Sequence, residues 1–388
     1  MQKLISLLFM NFIIFWSHAV TDTTNDKLEI ALDYQVQQQV EYNDDILNIK
    51  YFLEDYVNAN EYDQYKRFWN HNDDDIITFQ YDSLPKAIKN SYPNYKPSLF
   101  AIETSENDHF LVKISITGNK DGFYSTWSSH NLILKTDFYN CYKIINTAEI
   151  AIRDKHCKVY NNITFYITNE NIPNKELKAL KEFEKKLTRF LDLDYASYKI
   201  AVFNDTKVLY HDLGYDYHHA MYMNEGIGGV YLSYDNLILS GNGSAFYPHE
   251  MVHLYVNKLD FEVNDMINEG FATFLGGSIG HDYIYHIKNL KKYSSENKIN
   301  LTHNITNRNK YNILVGKSSS FKYAFGAFLC HVVFKHKGRN GILKLLNSGK
   351  SGQELKSTIL KTLNLEEINL EDVLQKELSE FKNISPLS

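Results

Sequence analysis

Two short motifs in the second half of the chain carry residues that can do chemistry. HEMVH begins at residue 249, and NEGFA begins at residue 268. Residues four apart on a helix share one face, so His249 and His253 project together and can bind one metal ion. Glu250 lies beside them, within reach of a water molecule on that ion. Glu269 supplies the third protein ligand of a catalytic zinc site, which keeps one position open.

These residue types predict hydrolysis by an activated water molecule. Zinc polarises a carbonyl group and lowers the pKa of water to about 7 from about 15.7. Glu250 can take the proton as the water attacks and can return it to the leaving nitrogen. The motifs therefore predict one zinc ion held by His249, His253 and Glu269, with Glu250 as the general base.

Two helices must position these side chains. Pro248 is tolerated in a first helical turn, so the first helix is predicted to begin near Phe246 or Tyr247. Asn264 or Asp265 can cap the second helix. The alternative is a surface helix with two solvated histidines, but the apolar Met251 and Leu254 argue against full exposure of the first helix.

HEMVH followed by NEGFATF resembles the gluzincin metallopeptidases, especially their peptidase MA-like branch. The resemblance covers the chain from about residue 158 to its end, including NNITFYITNENIPNKELKALKEFEKKL and YAFGAFLCHVVFKHKGRNGILKLLNSGKS. It implies His249, His253 and Glu269 as zinc ligands and Glu250 as general base. It also implies a strand beside the cleft, Gly229 to Leu232, that pairs with an extended peptide substrate.

The chain also departs from this family. Glu269 follows the histidines at a shorter spacing than in the aminopeptidases, and their GxMEN motif is absent, so an endopeptidase or a narrow-specificity peptidase is favoured. Thr273 stands where some gluzincins carry an aspartate that orients a histidine. By position in the family, Tyr323 is the catalytic donor to the oxyanion, with His331 as the alternative. Asn268 either orients Glu269 or serves the helix terminus.

The order of predicted elements indicates an α+β protein. Residues 25–150 begin with helices and continue with strands, among them Ile76 to Tyr81 and the alternating HFLVKISIT segment. This order resembles the nuclear transport factor 2-like fold and predicts a small N-terminal accessory domain. Residues 158–388 are predicted to form a gluzincin-type domain with a mixed sheet and a helical C-terminal part.

The N-terminus reads as a secretory signal peptide. Lys3 precedes an apolar run from Leu4 to Trp16, and small residues follow up to Ala19. The prediction is a signal peptide over residues 1–19, and the alternative is an uncleaved membrane anchor. Cleavage leaves a protein without stable membrane insertion that is secreted or lies in the periplasm or cell envelope.

Composition bounds the partners. The net charge is −6 and long basic clusters are missing, so a nucleic-acid partner is not expected. An exported protein can keep disulfides, so Cys141 and Cys157 are able to pair, whereas Cys330 in an apolar helix is predicted in the core. CxxC is absent, so a thiolate zinc site is not indicated.

Together these features predict an exported zinc metallopeptidase that acts on peptide or protein substrates. Two alternatives remain open. One is a zinc-containing binding module without catalysis, although such a site has no use for Glu250. The other is a metalloenzyme that hydrolyses a non-peptide amide.

Overall fold

A computed structural model describes residues 27–388, except 41–42, 73, 92–93, 105–108, 121–122, 170, 223–226, 312, 385 and 388. The predicted signal peptide lies outside the described residues. Helices and strands are both abundant, and the predicted α+β class is confirmed. In this described part of the chain, none of the helices has the length and apolar character needed to cross a membrane.

Strands and helices alternate irregularly along the chain. Up to residue 153 they are β1 (Ala31–Leu32), α1 (Tyr34–Gln39), α2 (Asp44–Asn58), α3 (Tyr62–Lys66), β2 (Trp69–Asn70), α4 (Gln80–Ser91), β3 (Tyr95–Thr104), β4 (His109–Lys120), β5 (Phe123–Thr136), β6 (Tyr142–Ile145) and α5 (Thr147–Arg153). The following elements are β7 (His156–Tyr160), β8 (Ile163–Ile167), α6 (Asn174–Leu191), β9 (Tyr198–Val202), α7 (Thr206–Asp212), β10 (Tyr215–His218), β11 (Gly228–Leu232), β12 (Leu237–Gly241), α8 (Pro248–Val256), α9 (Asp265–Gly276), α10 (Tyr283–Asn297), α11 (Leu301–Thr306), β13 (Leu314–Gly316), β14 (Ser319–Ser320), α12 (Phe321–Leu346), α13 (Gly352–Leu363) and α14 (Glu367–Ser379). Short 3₁₀ helices lie at His219–Tyr222 and Arg308–Lys310.

The first sheet is built on long antiparallel strands. Its order is β1-β3-β4-β5-β6-β2. Val112, Ile114 and Ile116 of β4 are fully buried, and the residues between them are only half-buried, as the alternating sequence predicts. The buried side chains of this sheet form a core with α2 and α4.

The predicted strand from Ile76 to Tyr81 is wrong. The N–H groups of Ile76 and Ile77 donate to the Glu149 carboxylate at 2.7 and 3.0 Å, so they are not paired with a neighbouring strand. Gln80 then begins α4. The strand does not form because a side chain supplies the hydrogen bonds that a neighbouring strand would have made.

The two halves of the chain are interwoven. Strand β10 belongs to the second half, yet it pairs antiparallel with β5 of the first sheet. Asp235 accepts hydrogen bonds from both the backbone and the hydroxyl group of Thr78, and Ile77 and Phe203 share one buried cluster. The boundaries of 25–150 and 158–388, and the nuclear transport factor 2-like outline, stay predictions.

The second sheet ends at an edge strand that contacts helix α8. Its order is β11-β12-β9-β8-β7, with β12, β9 and β8 mutually parallel and β11 antiparallel to β12. Among the described strands, β11 stands at the edge of this sheet and contacts α8. This is the strand that the sequence places beside the cleft.

Helix α8 is anchored at both ends to α6. Tyr255 near its C-terminus donates its hydroxyl hydrogen to Glu184 at 2.6 Å. The loop before α8 is held by Glu176, which accepts from the Ser244 hydroxyl and the Ala245 N–H, both at 2.9 Å. These buried and half-buried contacts fix the direction in which α8 presents its side chains.

Helices α9 and α12 cross in backbone contact. A Cβ atom added to Gly270 would lie 2.2 Å from the carbonyl carbon of Gly326, and one added to Gly326 would lie 2.2 Å from the Met266 oxygen. Side chains at these positions are excluded because backbone atoms cannot yield as a flexible side chain can. The crossing brings the first turn of α12 against the first turns of α9.

Replacing Gly326 with alanine is expected to destabilise the protein by about 1–3 kcal/mol, despite a gain of about 1 kcal/mol in helix propensity. The reason is that the added methyl group forces α9 and α12 apart. Chemical denaturation of the variant, with the exposed Lys335→Ala on the same helix as control, measures this. Unchanged or increased stability of the glycine variant would show that the crossing tolerates a side chain.

The cysteines do not form the suggested disulfide. Cys141 follows the turn between β5 and β6, whereas Cys157 lies on β7 of the other sheet, and both are exposed free thiols. Cys330 is fully buried in α12, as predicted.

Candidate metal centre

The two histidines of HEMVH project from one face of α8. Pro248 is the first residue of this helix, so both histidines lie within its first two turns. The Nε2 atoms of His249 and His253 are 3.2 Å apart. Both side chains are buried, with residue exposures of 5% and 7%. The alternative of a surface helix with two solvated histidines is therefore excluded.

Glu269 completes the group from the facing helix. Asn264 caps α9 through its side chain, and Glu269 lies one turn into the helix, 1% exposed. Its Oε2 atom lies 3.2 Å from the Nε2 of His249 and 3.4 Å from the Nε2 of His253. The predicted ligand set is thus brought together, and the three side chains form a buried group that can hold a metal ion.

The spacing of these atoms fits a tetrahedral ion. Zinc bonds of about 2.0–2.1 Å place the ligand atoms of a tetrahedron about 3.3–3.4 Å apart. The three separations between His249, His253 and Glu269 are 3.2, 3.2 and 3.4 Å. An ion bound at this spacing would take three ligands from these side chains, and the fourth position of a tetrahedron would be left for another ligand.

The other ring nitrogens of the histidines have acceptors of their own. The Nδ1 of His249 lies 2.6 Å from the Gly277 carbonyl, and the Nδ1 of His253 lies 3.2 Å from the Asn268 Oδ1. With hydrogen on Nδ1, each Nε2 presents a lone pair toward the shared centre. Asn268 therefore orients His253, a partner that differs from the one the sequence suggested.

Gly277 supplies the carbonyl group that lies beside the Nδ1 of His249. It ends α9 with a φ of +72°, a conformation that favours glycine, and its N–H donates to the Thr273 carbonyl. This places its own carbonyl on His249. The Thr273 hydroxyl is buried and, among the described residues, has no hydrogen-bond partner.

The pKa values of Glu269 and His253 are shifted in opposite directions by their contact with each other. Burial disfavours a charged Glu269, but His253 and the hydrogen bonds of both histidines hold the pKa of this carboxyl well below its usual range. Burial likewise lowers the pKa of His253, but the Glu269 charge outweighs it and raises that pKa to about 9. The nearby positive charges, His253 and the Lys322 ammonium, stabilise this buried carboxylate, and a metal ion bound to the same ligand atoms would do so as well.

Glu250 and His253 line one open cavity. The Oε2 of Glu250 accepts the backbone N–H of Tyr231 on β11 at 2.8 Å, and the Glu250 side chain is 2% exposed. A cavity of about 310 Å³ opens beside it. The lining residues are Tyr231, Ser233, Glu250, His253, Val256, Asn257, Leu259, Phe261, Val263, Asn268 and Lys350. The Glu250 carboxylate and the His253 ring therefore border the same space, which is open to a substrate.

Tyr323 lies beside the ligands, and His331 does not. The Tyr323 ring stands edge-on to His249, with the ring centroids 5.7 Å apart. Burial, followed by the charges of Glu269 and Glu250, raises the Tyr323 pKa well above its usual value, which keeps its hydroxyl protonated. His331 is eight residues along α12, about 12 Å farther, and packs against Phe381.

Sequence reasoning missed two further residues at the centre. Lys322, buried in the first turn of α12, lies next to Glu269. Tyr247 directly precedes Pro248, and its ring fills the space above Gly229 of β11, where a Cβ atom would lie 2.3 Å from its Cε1. A lysine inside the apolar run SFKYAFGAF was the available signal for the first.

Comparisons with known proteins assign no family to the chain. No protein-family model matches it, and a search of the curated proteins finds no match. The functional assignment therefore depends on the geometry of the centre itself.

Proposed function

We propose that the protein is a zinc-dependent metallopeptidase of the gluzincin type. The observation that carries this proposal is the convergence of His249, His253 and Glu269 at tetrahedral spacing, beside a cavity that His253 and Glu250 both line. A purely structural zinc site is closed by four protein ligands, whereas a catalytic one keeps three and an open position.

The donor set favours zinc over other common ions. Two neutral imidazoles and one carboxylate are a ligand set of catalytic zinc sites, whereas calcium and magnesium prefer oxygen ligands alone. The Nδ1 hydrogen bonds of His249 and His253 are the outer contacts that such ligands usually make. We therefore propose one zinc ion per chain.

Glu250 and Tyr323 have separate roles in the proposed reaction. When bound, zinc supplies a Lewis acid for the substrate carbonyl and for the attacking water. Because Tyr231 holds the Oε2 of Glu250, Oε1 takes the proton of that water and passes it to the leaving nitrogen. The Tyr323 hydroxyl stays protonated and donates a hydrogen bond to the substrate oxygen that gains negative charge.

The cleft suits an extended peptide. Strand β11 pairs with β12 on one side, and its other backbone edge, which includes the Tyr231 N–H, faces Glu250. A peptide can add to this edge by backbone hydrogen bonds. Leu259, Phe261 and Val263 in the cavity then contact a side chain near the scissile bond. With the signal peptide predicted over residues 1–19, the substrates are peptides or proteins outside the cytoplasm.

A peptide library tests this proposal. The protein, loaded with one equivalent of zinc, is incubated with peptides of mixed sequence, and the products are identified by mass spectrometry. We expect cleavage that stops on addition of a chelator and returns with zinc. Peptides that bind without being cut would favour a binding module, and release of ammonia or amine from non-peptide amides alone would favour the other class of hydrolase.

Replacing Tyr323 with phenylalanine is expected to lower kcat by about 10²–10³-fold with little change in KM, as loss of one oxyanion donor does. The fold should persist because only one oxygen atom is removed. Steady-state kinetics on a cleaved peptide measure the effect, and the exposed Tyr195→Phe serves as control. An unchanged kcat would remove Tyr323 from the mechanism.

A further inference from the structure

A buried lysine lies against the metal-binding group. Lys322 is in the first turn of α12, and its side chain is 6% exposed. Its Nζ lies 2.8 Å from the Oδ2 of Asp265 and 3.9 Å from the Oε1 of Glu269. The ammonium group thus stands on the side of the Glu269 carboxylate that faces away from the histidines.

This is an unfavourable place for a lysine. Burial removes the ammonium from water, at a cost of several kcal/mol unless it is paired. The first turn of a helix also carries the positive end of its dipole, which repels a cation. The neighbouring residues Phe321, Ala324 and Phe325 are fully buried and apolar, so an apolar side chain would suit position 322 better. The carboxylates of Asp265 and Glu269 are what hold the charge there.

The backbone brings these three groups together. Asp265 and Glu269 are four residues apart on α9, so their side chains share one face. The contact between Gly270 and Gly326 holds the two helices at minimal separation. The Lys322 N–H also donates to the Tyr311 carbonyl at 3.2 Å. The ammonium is therefore placed by rigid elements and does not depend on a flexible surface contact.

The two oxygens of Glu269 have different neighbours. Oε2 lies 3.2 Å from the Nε2 of His249, whereas Oε1 is the oxygen nearest to Lys322. We propose that Lys322 is a built-in second cation of the centre, which retains the Oε1 of Glu269 so that only Oε2 binds the metal. This inference depends on the metal site of the proposed function.

Two consequences follow for the centre. A carboxylate that used both oxygens would take a second coordination position and crowd the one that water needs. The Lys322 ammonium also offsets the negative charge of the two carboxylates that it contacts, those of Asp265 and Glu269. Lys322 thus acts through Glu269 and is a positioning residue.

Cobalt(II) in place of zinc gives a spectroscopic test. Four-coordinate cobalt absorbs visible light more strongly than five-coordinate cobalt. We expect an intense visible band for the wild-type protein and a weaker band per bound cobalt for Lys322→Met, because the released Oε1 of Glu269 joins the metal. Lys335→Met, an exposed lysine on the same helix, should keep the wild-type spectrum. The same band in Lys322→Met at equal cobalt content would overturn the proposal.

If Lys322→Met does not fold, the binding mode of the Glu269 carboxylate can be measured on the wild-type protein. X-ray absorption at the zinc edge distinguishes a carboxylate bound by one oxygen from one bound by two. One oxygen from Glu269 is expected in the zinc-loaded wild type, and two would refute the role of Lys322. If the wild type takes up neither zinc nor cobalt, the proposed metallopeptidase fails instead, so the two failures are distinguishable.

Discussion

Glu250→Gln is expected to lower kcat by about 10²–10⁴-fold while the protein keeps its zinc, because glutamine cannot take a proton from water. Glu250 is not among the metal-binding group, so the ligands stay in place. The glutamine carbonyl can still accept the Tyr231 N–H, and the contact with β11 survives. In this variant, kcat should therefore fall while the zinc content stays at the wild-type level.

Steady-state kinetics and metal analysis of the same preparation measure both quantities. Glu182→Gln on α6, an exposed position, is the matched control and should behave as wild type. Glu250→Gln with wild-type turnover would exclude Glu250 as general base. Loss of zinc together with turnover would instead show that the carboxylate supports the metal.

Glu269→Gln is expected to abolish stable zinc binding. The variant removes a direct ligand, so the loss of affinity should exceed the roughly 10–100-fold typical of outer-shell partners. The substitution also removes one of the two carboxylates that contact Lys322 and leaves that of Asp265. At zinc concentrations a thousand times the wild-type Kd, zinc should stabilise the wild-type protein by about 4.1 kcal/mol and the variant by far less.

Thermal and chemical unfolding with and without zinc measures this difference. Glu296→Gln, an exposed residue of α10, is the control and should retain the full zinc-dependent stabilisation. Equal stabilisation of Glu269→Gln and wild type by zinc would show that the ion binds elsewhere.

Local sequence patterns predicted the centre because its ligands come from short motifs. Four-residue spacing places His249 and His253 on one face of α8, whatever the rest of the fold does. Glu269 follows in a helix that Asn264 caps, as its sequence suggests. The helical C-terminal part follows the same logic, and the structure adds an interruption of α12 at Gly338, where φ is +57°.

The parts that were missed depend on contacts between distant segments. Lys322 and Glu269 are 53 residues apart in the chain, and only the crossing of α9 and α12 brings them together. The Gly277 carbonyl is a backbone group, which no residue pattern marks as a partner of His249. The segment from Ile76 failed for a similar reason, since its hydrogen bonds go to Glu149 more than seventy residues away.

A crystal structure of the zinc-supplied protein, with data collected at the zinc absorption edge, tests the central claim most directly. We expect one anomalous peak per chain, about 2.0–2.2 Å from the Nε2 atoms of His249 and His253 and from the Oε2 of Glu269. A zinc-saturated crystal without a peak among these three atoms would contradict it.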